Sequence, residues 1–162
     1  MTNLLEAAPP GARSTAQSGP GQLLIELELS AKSIHHAKTI ARENVCLWGL
    51  DELATDIGLT LAELLTNVMR HAAPPTSHGH PKVSRCLVQR VPGGIVVIVH
   101  DDDPTLPQER EVDVDSLDGR GLMLVRALAA DVTVVPSPTG KDIVAVFTSS
   151  AVSVRAEQGL LT

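Results

Sequence analysis

The pattern of apolar and polar positions predicts five strands. Residues 22–29 (QLLIELEL) alternate between apolar and polar side chains, which is typical of a strand with one buried face. Residues 94–100 (GIVVIVH) are almost continuously apolar, as expected of a central strand covered on at least one side. The other predicted strands are about 82–91, joined to the central strand by a hairpin turn at 92–94, and then 131–135 and 142–148.

A period near three and a half residues predicts three helices. Ser30 is a suitable N-cap for a helix that runs to about Leu50, and Asp51 can cap a second helix that runs to about Ala72. Their apolar stripes are Ile34, Ala37, Ala41, Val45 and Trp48 in the first, and Leu53, Ile57, Leu61, Leu64 and Val68 in the second. A third, short helix begins at the two glycines of GRGLMLVRALAAD.

This order of elements predicts the fold class. It runs strand, two helices, two strands, loop, helix, two strands. We therefore expect an α/β two-layer sandwich, with a mixed, mostly antiparallel sheet that carries three helices on one face. A doubly wound parallel sheet fits badly, because the strands do not alternate one for one with helices.

Three stretches lack a sustained period. Residues 1–21 are rich in Pro, Gly, Ala and Ser, and we expect a disordered leader before a folded domain at 22–148. Residues 149–162 are expected to form a loose tail. The acidic segment 101–118 lies inside the domain, where so long a stretch without regular structure usually forms a functional loop or lid.

Length and composition narrow the class of protein. The 162 residues are 43% hydrophobic and carry a formal net charge of −6, which favours one soluble domain and argues against non-specific binding to nucleic acid or anionic membrane. No apolar run is long enough to cross a bilayer, and the N-terminus lacks the pattern of a secretory signal. We expect a small cytoplasmic protein, in which Cys46 and Cys86 act as ordinary small apolar side chains.

Several short motifs fail when their spacing is checked. Gly119 and Gly121 open a helix, but Leu124 stands where the dinucleotide fingerprint needs its third glycine. Gly140-Lys141 is followed by Asp142 instead of the Ser or Thr of a phosphate-binding P-loop. The histidines of His78-Gly79-His80 have no carboxylate or thiol near them in sequence, which favours a solvated loop over a metal site.

The second helix carries a polar stripe beside its apolar face. Glu63, Asn67 and His71 follow one another at intervals of four residues. A carboxylate at this position can accept a proton from a nucleophile, while an amide oxygen one turn later can ligate Mg²⁺ held against phosphates. The alternative interpretation of this segment, taken alone, is a plain polar helix edge.

Two later segments favour a nucleotide site. Asp101 follows the buried central strand directly, where its side chain can face a pocket. Gly119 and Gly121 lead into a helix, whose first backbone N–H groups and dipole suit a polyphosphate. Each glycine alone could be a turn residue, but the three features together, in this order, are harder to obtain by chance.

These segments resemble a known family. The stretches ELLTNVMRHA (63–72), VIVHDDDPTLP (97–107) and LDGRGLMLVRALAADVTV (117–134), and more weakly GKDIVAVF (140–147), resemble the Bergerat-fold (GHKL) ATP-binding domain of gyrase, heat-shock chaperones and histidine kinases. Within that superfamily the chain is most similar to the bacterial anti-sigma-factor serine/threonine kinases and their stand-alone relatives. The resemblance covers about residues 22–148.

The resemblance implies a role for each matching residue. Glu63 would be the general base, Asn67 would coordinate Mg²⁺, and Asp101 would accept a hydrogen bond from the adenine amino group. The phosphates would be wrapped by the start of the third helix, with residues 102–118 as the lid; the nucleotide-binding positions there are Gly119, Arg120, Gly121 and Leu122. Arg70 and His71 lie nearby without an assigned role.

The sequence departs from the family pattern at two places. Asp103 stands where relatives often have a small residue, and its carboxylate adds crowding and like charge near the nucleotide. Ala145 stands where many relatives have an aromatic residue in the last strand.

The resemblance implies a regulatory kinase that uses ATP and Mg²⁺ to phosphorylate an anti-sigma-factor antagonist. Its partners would be that antagonist, a sigma factor or both, and a second copy in a homodimer, with no direct contact to nucleic acid or membrane. The alternative is a non-catalytic nucleotide-binding module that regulates a transcription partner. A free-standing histidine-kinase catalytic domain is a third reading, which no preceding phospho-acceptor helix pair supports.

Overall fold

The computed structural model describes residues 14–70, 82–103 and 120–149. The elements in chain order are β1 (Thr15–Gly19), β2 (Gln22–Glu28), α1 (Ala31–Leu47), α2 (Asp51–Arg70), β3 (Val83–Val91), β4 (Gly94–Asp101), α3 (Arg120–Leu128), β5 (Asp131–Ser137) and β6 (Gly140–Thr148). The predicted two-layer α/β architecture is confirmed, because these strands form a single sheet with helices packed on it.

The sheet has the strand order β1-β2-β3-β4-β6-β5. Every pairing between these strands is antiparallel, so the parallel contribution expected of a mixed sheet is missing from the described residues. The reason lies in the position of β6. The crossover through α3 makes β4 and β5 run in the same direction, but β6 lies between them and pairs with both.

The strand β1 corrects part of the predicted leader. Residues 15–19, expected to be disordered, pair along β2 as an edge strand. Their polar composition gives no period of two, since Ala16 is the one buried side chain among them. Backbone pairing and the tight turn at Gly21, where φ is +68°, form the strand instead. Residues 1–13 and 150–162 lie outside the described part of the chain, as does most of the predicted lid, at 104–119.

One face of the sheet forms the core with α1 and α2. The side chains of Ile95, Val97 and Val99 in β4 are fully buried, as are Ile57, Leu61 and Leu64 in α2. The predicted apolar stripes of both helices are buried, except that Trp48, the C-cap of α1, is half-buried. The predicted N-cap is confirmed, since the Ser33 backbone N–H donates to Ser30 Oγ at 3.0 Å. No helix in the described residues combines the length and apolarity that a membrane span requires.

The two thiols have opposite environments and should react differently. Cys86 is 1% exposed, and burial raises the pKa of its thiol to about 12, whereas Cys46 is exposed at the end of α1. A thiolate is the reactive species, so one thiol per native chain should react with a chromogenic disulfide at pH 8, and two after unfolding in guanidinium chloride. Equal rates for both thiols in the native protein would contradict this packing.

Gly140 sets how closely β6 approaches the end of β4. Its φ is +147°, and a Cβ built on it would collide with the carbonyl oxygen of Asp101 and lie 2.8 Å from the Cα of Asp102. We expect Gly140→Ala to lower the free energy of unfolding by about 1–3 kcal/mol, because the Cβ strains the backbone at Gly140 and displaces the end of β4. Urea denaturation checks this. The matched control is Gly19→Ala, because a Cβ there meets nothing within 4 Å; equal stability of the two variants would contradict the prediction.

Candidate active site

The carboxylate of Asp101 is buried at the end of the central strand. The period of two along β4 puts it on the same face as Val97 and Val99, toward the helices, and leaves the residue 4% exposed. A buried charge is costly unless it is paired and hydrogen-bonded. The fold supplies this compensation through two lysines and a backbone N–H.

The two oxygens of Asp101 have different partners. Oδ1 accepts from the backbone N–H of Asp103 at 3.0 Å and from Lys82 Nζ at 3.3 Å. Oδ2 faces Lys141 Nζ at 3.6 Å, which is an ion pair at a distance too long for a hydrogen bond. Lys141 reaches this position because it is the cross-strand partner of Asp101 in the β4–β6 ladder.

Sequence reasoning missed both lysines as members of the site. For Lys141 a signal was present: it falls in step with Ile143, Ala145 and Phe147 on the buried face of β6, where an unpaired lysine would be very costly. Lys82 precedes β3, and its position relative to Asp101 depends on the register between β3 and β4. No local pattern reveals that register.

Helix α2 runs toward the Asp101 end of the sheet. Its first turn is tied to the opposite end, because Ser149 Oγ donates to Glu52 Oε1 at 2.7 Å while the Ser149 backbone N–H donates to Gly93 O at 2.8 Å. The rise of a helix from Glu52 to Asn67 is roughly 22 Å. The length of β4 is roughly 24 Å, at about 3.4 Å per residue. Since α2 packs on β4 and β6 and its rise to Asn67 is close to the length of β4, Asn67 lies toward the Asp101 end of the sheet.

Glu63 and Asn67 share one stripe of α2 and are both half-buried. They flank Leu64 and Val68, which are buried in the core, so their side chains lie at the border between core and solvent. Arg70, the last residue of α2, is exposed, and His71 lies outside the described residues. One further polar group belongs to this side of the helix: Thr60 is fully buried, and its hydroxyl has no hydrogen-bond partner among the described residues.

Helix α3 also begins on the Asp101 side. Its far end is fixed near the start of β4, because the Ala130 backbone N–H donates to Val146 O at 2.7 Å and Val146 pairs with Val96. The first turn of the helix, which starts at Arg120 and Gly121, therefore lies nearer the Asp101 end than its last turn does. Leu122 is half-buried against the core, and Gly119 lies outside the described residues.

A second polar cluster fixes the same strand end on the outer face of the sheet. His100 Nδ1 lies 2.7 Å from Asp142 Oδ1, and Nε2 lies 3.0 Å from Asp102 Oδ1. His100 and Asp142 are register partners, one step along the ladder from Asp101 and Lys141. Cross-strand polar pairs therefore hold β4 to β6 on both faces at the point where the candidate site begins.

The donors gathered here fit a nucleotide and Mg²⁺. Carboxylate and amide oxygens are the ligands that Mg²⁺ prefers, and helix N-termini favour phosphates. In the ranges that the structure describes, no three His, Cys, Asp or Glu side chains are grouped to hold a metal by themselves. A nucleotide-bound Mg²⁺ does not need such a cage, because phosphates and water complete its coordination.

Comparison with known proteins identifies the family. No curated protein matches the chain. A family model described as a histidine kinase-like ATPase domain matches residues 27–147, which include β4, β5, all three helices and every predicted site residue. The match extends over more than half of the chain and over the two elements, α2 and β4, that carry Glu63, Asn67 and Asp101. The chain therefore belongs to the histidine kinase-like ATPase domain family.

Proposed function

We propose that this protein is an ATP-dependent serine/threonine kinase that phosphorylates an anti-sigma-factor antagonist in the cytoplasm and so controls a sigma factor. Membership of the histidine kinase-like ATPase domain family supports ATP binding by this chain. The observation that carries the proposal is the buried Asp101 at the end of the sheet toward which α2, with Glu63 and Asn67, extends. The serine/threonine specificity and the antagonist substrate rest on the resemblance of the three sequence segments to the anti-sigma-factor kinases.

Glu63 is the proposed general base. Its half-buried carboxylate, one turn before Asn67 on the polar stripe of α2, can accept the proton of a serine or threonine hydroxyl of the antagonist. The hydroxyl oxygen forms a bond to the γ-phosphorus as the bond from that phosphorus to the β–γ bridging oxygen breaks. ADP leaves with the electron pair of that bond, and the hydroxyl proton goes to Glu63.

The other residues bind and orient the nucleotide. Asn67, one turn after Glu63, offers an amide oxygen to Mg²⁺, which when bound neutralises charge on the phosphates. The carboxylate of Asp101 accepts a hydrogen bond from the amino group of adenine. The N-terminal turn of α3, at Arg120, Gly121 and Leu122 and preceded in sequence by Gly119, provides backbone donors for the phosphates.

A second candidate function is a nucleotide-binding interaction module without turnover. Asp103 favours it, because its half-buried side chain adds negative charge two residues after Asp101, on the approach to the site. Excess negative charge opposes the further charge that develops on transferring phosphate. Phosphotransfer to a purified antagonist would eliminate this candidate.

Nucleotide binding should depend on Mg²⁺ through Asn67. Calorimetric titration of the wild-type protein with ATP should show binding that is tighter with Mg²⁺ than with EDTA. At about 100 times the dissociation constant, ATP should raise the free energy of unfolding by roughly 2.7 kcal/mol. Asn67→Ala should remove the Mg²⁺ dependence. The matched control is Thr39→Ala, because Thr39 lies on the exposed side of α1, whereas Asn44 is unsuitable because it is buried. Absence of ATP binding at millimolar concentration would contradict the proposed site.

Glu63→Gln should separate binding from catalysis. The amide keeps the size of the side chain but cannot accept the proton, so we expect phosphotransfer to the antagonist to fall by about 10²–10⁴-fold. The ATP dissociation constant should stay within about twofold, since the proposed base acts in the transition state. Radiolabel transfer and calorimetry measure the two quantities, and Glu43→Gln on the exposed side of α1 is the control. Unchanged phosphotransfer in the Glu63 variant would remove Glu63 from the mechanism.

A further inference from the structure

The carboxylate of Asp101 has one oxygen committed to the protein and one turned toward a lysine. Oδ1 already accepts two hydrogen bonds, from the Asp103 backbone N–H and from Lys82 Nζ. Oδ2 has Lys141 Nζ 3.6 Å away, beyond hydrogen-bond distance. Oδ2 is therefore the oxygen better placed to accept a hydrogen bond from a ligand, and any group that reaches it also comes close to the Lys141 ammonium.

Lys141 is an unusual neighbour for such an acceptor. Its side chain is 10% exposed and lies on the helix face of the sheet, and its ammonium is brought beside Asp101 by the β4–β6 register. An ammonium carries three N–H donors and accepts nothing. The pair thus presents an acceptor and a donor side by side at a buried strand end.

We propose that Asp101 and Lys141 act together as the base-recognition pair, so that the site accepts nucleotides of 6-oxopurines as well as those of adenine. This inference rests on the proposed role of Asp101 in nucleotide binding and makes Lys141 a specificity-determining residue. Oδ2 takes a proton-bearing nitrogen of the base edge, and Lys141 donates to the acceptor beside it.

The hydrogen-bonding edges of the two purine classes explain the choice. Adenine presents an amino donor next to a ring-nitrogen acceptor, whereas hypoxanthine presents a carbonyl acceptor next to a ring N–H donor. A carboxylate alone satisfies the adenine amine and repels the carbonyl oxygen. A carboxylate with an ammonium beside it can satisfy a donor–acceptor pair in either order, because a site rejects an analogue chiefly when a buried polar group is left unpaired.

Lys82 provides the matched control. It also pairs with Asp101, and its removal deletes the same charge, but it contacts Oδ1, the oxygen committed to the protein. A lysine that only neutralises the buried carboxylate would affect all purine nucleotides alike. A lysine that contacts the base would affect the ratio of two nucleotides.

The experiment is a calorimetric titration of the full chain with ATP and with inosine triphosphate, for wild type, Lys141→Met and Lys82→Met. Wild type should bind the two nucleotides with dissociation constants within about tenfold of each other. Lys141→Met should raise the inosine-to-adenosine ratio of dissociation constants by about tenfold or more. Without the ammonium, hypoxanthine leaves a carbonyl oxygen unpaired beside the carboxylate that repels it, whereas adenine leaves only a ring nitrogen unpaired and still donates its amine to Oδ2. Lys82→Met should leave that ratio within about threefold of wild type.

Each outcome decides the inference. It is overturned if folded Lys141→Met keeps the wild-type ratio, if Lys82→Met shifts the ratio equally, or if wild type prefers ATP by more than about tenfold. Should Lys141→Met fail to fold by circular dichroism, the wild-type ratio and Lys141→Arg, expected to retain that ratio, decide instead. Failure of wild type to bind ATP at all refutes the proposed function, whereas ATP binding with an unshifted ratio refutes this inference alone.

Discussion

The two-residue period of β4 ties the hydrophobic core to the candidate site. The same alternation that buries Ile95, Val97 and Val99 against the helices puts Asp101 on the buried face at the next step. A slip of one residue would turn the whole apolar row toward the outer face and Asp101 with it. Packing of the core therefore fixes the orientation of the carboxylate, and Lys82 and Lys141 make its burial tolerable.

The helices bring further polar residues to the Asp101 end of the sheet. Contacts at the Gly94 end of the sheet anchor the start of α2 through Glu52 and the end of α3 through Ala130. Both helices then extend over the sheet toward Asp101, since α2 is about as long as the strands it covers. Polar residues that are distant in sequence are thus collected at the Asp101 end, while the middle of the layer holds the apolar contacts.

Local patterns predicted the elements well, and long-range pairing explains what they missed. The apolar stripes of α1 and α2 and the alternation along β4 are periodic, and the alternation along β4 also puts Asp101 on the buried face. The edge strand β1 has no period, because it is held by backbone pairing to β2 rather than by buried side chains. The lysine partners of Asp101 were missed because a cross-strand register is a property of two segments, and neither segment alone contains it. The roles of Glu63 and Asn67 stay predictions, supported by their placement.

The ladder between β4 and β6 allows the effect of Lys141 on base recognition to be separated from its effect on strand pairing. Two adjacent register pairs lie on opposite faces: Asp101 with Lys141 toward the helices, and His100 with Asp142 on the outer face. The outer pair and the backbone ladder hold the strand ends together independently of Lys141. Because Asp101 also keeps Lys82 and the Asp103 backbone N–H, loss of Lys141 leaves its carboxylate paired and oriented. A change in base preference on losing Lys141 is then attributable to the missing donor and not to a displaced strand.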